Sequence, residues 1–136
     1  MKKNIAVAAV ALLGLIAVSF AQDEQQYQAW MKDNAATVGK LRKEVEAKAN
    51  SDVATDAKHL EGIYKQVGGF FEKRGPSAAD AVKLAGDSAK ASADLAAAAT
   101  AGDAEKMAAS LKIITGNCAT CHMAHREKVE GGFKVK

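Results

Sequence analysis

The chain reads as an all-α protein, an antiparallel four-helix bundle behind an N-terminal leader. Three observations predict this. Apolar residues recur at helical steps of three and four along nearly the whole chain, with no alternating apolar/polar stretch among them. The single proline, Pro76, falls between two such segments and not inside one. The breaks are short, which makes consecutive helices antiparallel neighbours.

The leader is "MKKNIAVAAVALLGLIAVSFA", residues 1–21. Lys2 and Lys3 form a positive start, an apolar run from Ile5 to Val18 follows, and Ser19-Phe20-Ala21 places small residues where a signal peptidase reads. A membrane-spanning helix needs about 20 apolar residues, more than this run supplies. The expected mature domain is therefore residues 22–136, exported to a bacterial periplasm. An uncleaved anchor would leave it on the same side of the membrane. Removing Lys2 and Lys3, with no acid among residues 1–21, takes the formal charge from +3 to +1. The length fits one domain with a small core. The near-neutral balance, and the lack of a basic stripe with interleaved aromatics, speak against nucleic acid as a partner.

Four segments follow. The first runs from about Asp23 to Lys48, with Tyr27, Met31, Val38, Leu41 and Val45 on one stripe and Trp30 beside it. Asn50-Ser51-Asp52 is expected to break it and cap the second segment, about Val53 to Lys73. There Val53, Leu60, Ile63, Tyr64, Val67 and Phe70 share a face, and Phe71 adds to the core near its end. After "RGPS", Ser77 with Asp80 resembles a capping box, and a third, alanine-rich segment extends to about Thr100 with Leu84, Ala91 and Leu95 as its stripe. Ala101-Gly102 ends it and Asp103 caps the fourth segment, Ala104 to about Glu130. Its stripe is Met107, Leu111, Ile114, Cys118, Cys121 with His122, His125 and Val129. Gly131-Gly132 is expected to end this helix, leaving the last lysines on a solvated tail or helping to dock an acidic partner.

The chemistry concentrates in "GNCATCHMAHREK", residues 116–128, which holds both cysteines and two of the three histidines. Cys118-Ala119-Thr120-Cys121-His122 is C-x-x-C-H, the attachment signature of haem c. Two thiols three residues apart lie on one face of a helix, where they can add to the two vinyl groups of a haem. His122 then offers an imidazole to the iron. Three other uses compete. A disulfide here closes a very short loop and restrains little chain. A thioredoxin-like dithiol belongs on a βαβ scaffold, which this chain lacks. Zinc would need Cys118, Cys121, His122 and His125 to surround one ion from eight consecutive helical residues, which tetrahedral geometry resists. One haem c per chain is the expected cofactor. The shortage of large apolar residues also predicts that a haem fills the bundle and that the apo form is loose.

With the motif near the end of an all-helical chain, and continued as "CHMAHR", the sequence resembles the class II cytochromes c, the cytochrome c prime family. That family carries C-x-x-C-H-x-x-Tyr-Arg/Lys, and Arg126 matches the basic position while His125 replaces the tyrosine. "YQAWMK", residues 27–32, is similar to the family's opening motif through Gln28, Met31 and Lys32, with Tyr27 where an arginine that approaches a haem propionate is usual. The resemblance covers essentially residues 22–136. It implies His122 as the proximal ligand and Met31 as the distal ligand, giving a six-coordinate, low-spin iron suited to one-electron transfer. Arg126, Tyr27 and Trp30 are then expected to lie around the cofactor. Other groups fit the sixth position less well. Met107 lies about 16 Å along the helix from the motif, Met123 follows His122 directly, and the lone His59 suits a surface or capping role.

The expected function is a periplasmic electron carrier working between redox proteins. The alternative is a five-coordinate protein of the same family, with Met31 as core, that binds nitric oxide or carbon monoxide. A nucleophile with a paired base is not apparent, so an enzyme is not expected. By analogy with the family, a homodimer through the first two helices is possible.

Overall fold

The computed structural model describes the backbone of residues 2–136 and the side chains of residues 23–136. The expected leader, residues 1–21, lies outside the described side chains. Four helices make up almost the whole fold: α1 (Lys2–Glu46), α2 (Asn50–Glu72), α3 (Ala79–Ala101) and α4 (Ala104–His125). They pack in a ring, each against the next, with α4 closing back on α1. Among the described residues, no helix is long and apolar enough to cross a membrane.

Each helix end has a local cause. α1 stops in a Schellman turn: the Ala49 amide donates to the Glu44 carbonyl at 2.9 Å, the Lys48 amide to that of Val45 at 3.2 Å, and Lys48 takes φ +56°. The break thus lies at Ala47–Ala49. Asn50-Ser51-Asp52, expected as a break and cap, instead forms the first turn of α2, which has no side-chain cap. α3 ends in the same motif at Gly102, φ +68°, where glycine carries no Cβ penalty. Asp103 caps α4 as expected, accepting the Lys106 amide at 3.0 Å.

Two expectations are corrected. Ser77 and Asp80 do not form a capping box. A short 3-10 turn, Pro76–Ala78, leads into α3, and its N-cap, Ala78, makes no side-chain bond. Asp80 is used elsewhere, since its carboxylate meets His125 of α4 at 2.8 Å. Nor does α4 run to Glu130. It ends at His125, and residues 126–135 form an antiparallel hairpin of β1 (Arg126–Val129) and β2 (Gly132–Val135). Glu130-Gly131 makes the turn, with Gly131 at φ +83°, and Glu127 pairs with Lys134 across the strands at 3.2 Å. The hairpin folds back on α1. Gln28 Nε2 donates to the Phe133 carbonyl at 3.1 Å, and the Val135 amide donates to Glu24 at 3.3 Å.

The core is densest between α2 and α3. Leu41, Leu60, Phe71, Leu95, Met107 and Ile114 are fully buried in it. Alanines at positions 81, 85, 89, 91, 96, 98 and 99 give α3 a low-relief face, so its neighbours approach closely. Contact between α1 and α4 is much sparser. One end of the bundle is sealed by aromatic rings: Tyr27 stacks on Phe70 at 4.4 Å, Phe71 stands edge-on to both, and His125 lies 5.4 Å from Phe71.

Candidate functional site

The sparse α1–α4 seam opens into a cleft of about 560 Å³, with the hairpin as its third wall. That volume is in the range of small-molecule and cofactor sites. A small inner cavity of about 30 Å³ continues it toward α2 and α3. Met31, Cys118 and His122 line both spaces, and Cys121 lines the inner one. The C-x-x-C-H stretch and the first-helix methionine, 87 positions apart at Met31 and Cys118, are thus brought to one place. The recess is helped by Ala35 and Gly39 of α1; a Cβ built at Gly39 would meet nothing within 4 Å.

The motif sits on the last two turns of α4, half-buried. Two polar ties hold this part of the helix. Asn117 Nδ2 donates to Ser88 Oγ of α3 at 3.2 Å, and the Tyr64 hydroxyl of α2 shares a hydrogen bond of 3.2 Å with Cys118 Sγ. Both cysteines are free thiols. Burial first, and then the neighbouring Cys118, pushes the Cys121 thiol above its ordinary value, which keeps it protonated near neutral pH. A dithiol oxidoreductase needs the opposite shift. Burial, with a smaller push from the Arg126 guanidinium, moves His122 below its ordinary value of 6.5, so its imidazole is neutral at pH 7 and carries a lone pair. Tyr27 and Tyr64 are shifted up, chiefly by burial, and stay neutral phenols.

The remaining predicted residues divide. Tyr27 lines both spaces while its ring belongs to the aromatic seal. Arg126 lines the cleft from β1, its guanidinium lying 4.2 Å above the Phe133 ring. Trp30 packs at the edge of the core and does not line the cleft. His59 is on the surface, paired with Asp33 at 2.8 Å. Met107 is buried in the first turn of α4, and Met123 is 75% exposed. Among the described residues, no group of three or more His, Cys, Asp and Glu side chains is arranged to hold a metal ion alone.

Sequence reasoning missed Asn34, Arg42, Tyr64 and Phe133 as site residues. Asn34 had a signal. It lies three residues after Met31 and four before Val38, so it is a polar residue on the apolar stripe, and it is buried beside the cleft. Tyr64 was legible only as core. Comparison with known proteins returned no match: no family model fits the chain, and neither a characterised protein nor a solved structure is significantly similar to it. The functional reading therefore rests on these residues and their arrangement.

Proposed function

We propose that this chain is an exported class II cytochrome c, carrying one covalently attached haem c and passing single electrons between periplasmic redox proteins. The observation that carries the reading is the meeting of Met31 on α1 with Cys118 and His122 on α4 at one cofactor-sized cleft. The donor set fits the group. It comprises two thiols at C-x-x-C spacing, a neutral imidazole beside them and a thioether on another helix. The apolar surroundings fit it too, since Val38, Val67, Leu84 and Ala85 line the two spaces.

When bound, the haem supplies the one-electron iron couple. The chain's own residues do the rest. Cys118 and Cys121 would hold the group covalently through two thioether bonds. His122 keeps its lone pair available at neutral pH because burial disfavours its protonation. Met31 would offer a soft sulfur from the other helix, a ligand type that favours reduced iron. Phe133 and Val135 of the hairpin add apolar surface to one wall of the cleft.

The test is absorption spectroscopy of the protein matured with a haem-attachment system. Haem should stay with the polypeptide through denaturation, and Cys118→Ala with Cys121→Ala should lose it entirely. A double variant that retained haem would end this reading. The native protein should be low-spin in both oxidation states and unchanged by carbon monoxide. A high-spin spectrum that moved under carbon monoxide would instead favour the five-coordinate, gas-binding function.

A further inference from the structure

We propose that the mouth of the cleft is a docking surface for an acidic redox protein; the inference rests on the electron-carrier reading and names its partner's chemistry. Lys32 and Arg42 of α1, Arg126 of β1 and Lys134 of β2 all line the cleft, and no aspartate or glutamate does. The chain as a whole has 19 basic and 16 acidic residues, so this separation is local.

Elsewhere, Lys40, Lys65, Lys83, Lys90 and Lys106 each have a carboxylate within hydrogen-bonding distance. Lys43, Lys48, Lys58 and Lys112 have none among the described residues, so the mouth is set apart by four cations gathered at one opening that no carboxylate lines. At the mouth, only Lys134 has such a partner, Glu127 at 3.2 Å. Among the described residues, no carboxylate pairs with Lys32, Arg42 or Arg126. Arg126 lies over the Phe133 ring instead. Phe133 is itself 47% exposed, so an apolar side chain sits among the cations. An aromatic centre within a charged rim is the pattern of a protein interface. The charge selects a partner that presents carboxylates, and an electric field of one sign over the mouth accelerates encounter with it. The two ends of the chain build this surface jointly: it exists because the hairpin returns Arg126 and Lys134 to α1.

Poly-L-glutamate serves as the probe, titrated into the reduced, isotope-labelled full-length holoprotein and followed by NMR. Amide shifts should concentrate in residues 28–42 and 126–135 and fade above roughly 0.3 M salt, where charges are screened within a few ångströms. Arg42→Glu with Lys134→Glu should weaken binding about tenfold, the scale of a locally steered contact. Lys83→Glu with Lys90→Glu on α3 reverses the same number of charges away from the cleft and should change it less than about twofold. Shifts spread over the lysines of α2 and α3, or equal losses in the two double variants, would overturn the proposal. So would silence at the mouth, the result expected if the prosthetic group's own carboxylates occupy these cations. The same samples report covalent haem by absorption. Missing haem would sink the electron-carrier reading and, with it, the redox role of the surface, whereas haem with an unresponsive mouth would sink the docking surface alone.

Discussion

At the scale of single residues, the candidate site depends on side chains whose chemistry is set by burial. His122 and Cys121 shift in opposite directions from the same cause, because burial penalises the charged form of each. Both end up neutral, which suits a lone-pair donor and a thiol that adds without acting as a redox nucleophile. Met31 tests the function most directly. Met31→Leu conserves volume, so the fold should persist, while the low-spin spectrum proposed for the holoprotein should become high-spin and responsive to carbon monoxide. An unaltered spectrum would make Met31 a packing residue. Cys118, Cys121, His122 and Met31 were all legible in the sequence, the first three from spacing alone. Asn34 was readable only as an oddity on an apolar stripe, because nothing local says that its stripe faces a cleft.

At the scale of elements, helix ends turned on backbone geometry more than on the polar residues that suggested caps. Lys48 occupies a left-handed position, φ +56°, that costs a non-glycine residue about 1 kcal/mol. Lys48→Gly should therefore raise unfolding stability by roughly 0.5–1 kcal/mol in urea titrations, despite glycine's larger entropy loss. The Asp103 cap makes a pH prediction. Hydrogen bonds from Lys106 hold its carboxyl below the ordinary value of 3.8. A lowered folded-state pKa adds stability above the unfolded value and loses it as pH falls through the folded value. Asp103→Asn should thus have a lower melting temperature than wild type at pH 7, and the gap should close as the pH falls below the carboxyl's ordinary value of 3.8. A gap that persisted in acid would assign the effect to something other than charge. The C-terminal hairpin was the largest miss. "EKVEGGFKV" carries a Gly-Gly between short runs that contain valine and phenylalanine, which is a hairpin signal. The helical stripe through Val129 competed with it, and the strand won where Gln28 and Glu24 of α1 supplied partners for its backbone.

At the scale of the whole molecule, packing is uneven: the α2–α3 half is a close-packed core and the α1–α4 seam is open. Phe71 belongs to the packed half, fully buried and packed against three other rings, those of Tyr27, Phe70 and His125. Phe71→Ala should cost about 3–5 kcal/mol, much of the stability of a domain this size, and should show as a large drop in the urea midpoint. The helices, their number and most of their boundaries were determined by the sequence itself, because a period of three and four, a glycine or a proline acts between near neighbours. The placing of the C-x-x-C-H motif on the inner stripe of the last helix was determined in the same way. What only the tertiary structure decided was which distant groups meet: Met31 and Asn34 with Cys118 and His122, Asp80 with His125 in place of a cap, and the hairpin that sets four cations around one cleft. Those meetings depend on how whole helix faces pack and on which backbone groups a returning strand can satisfy. Such choices are made between segments as far as 111 residues apart, and no local pattern records them.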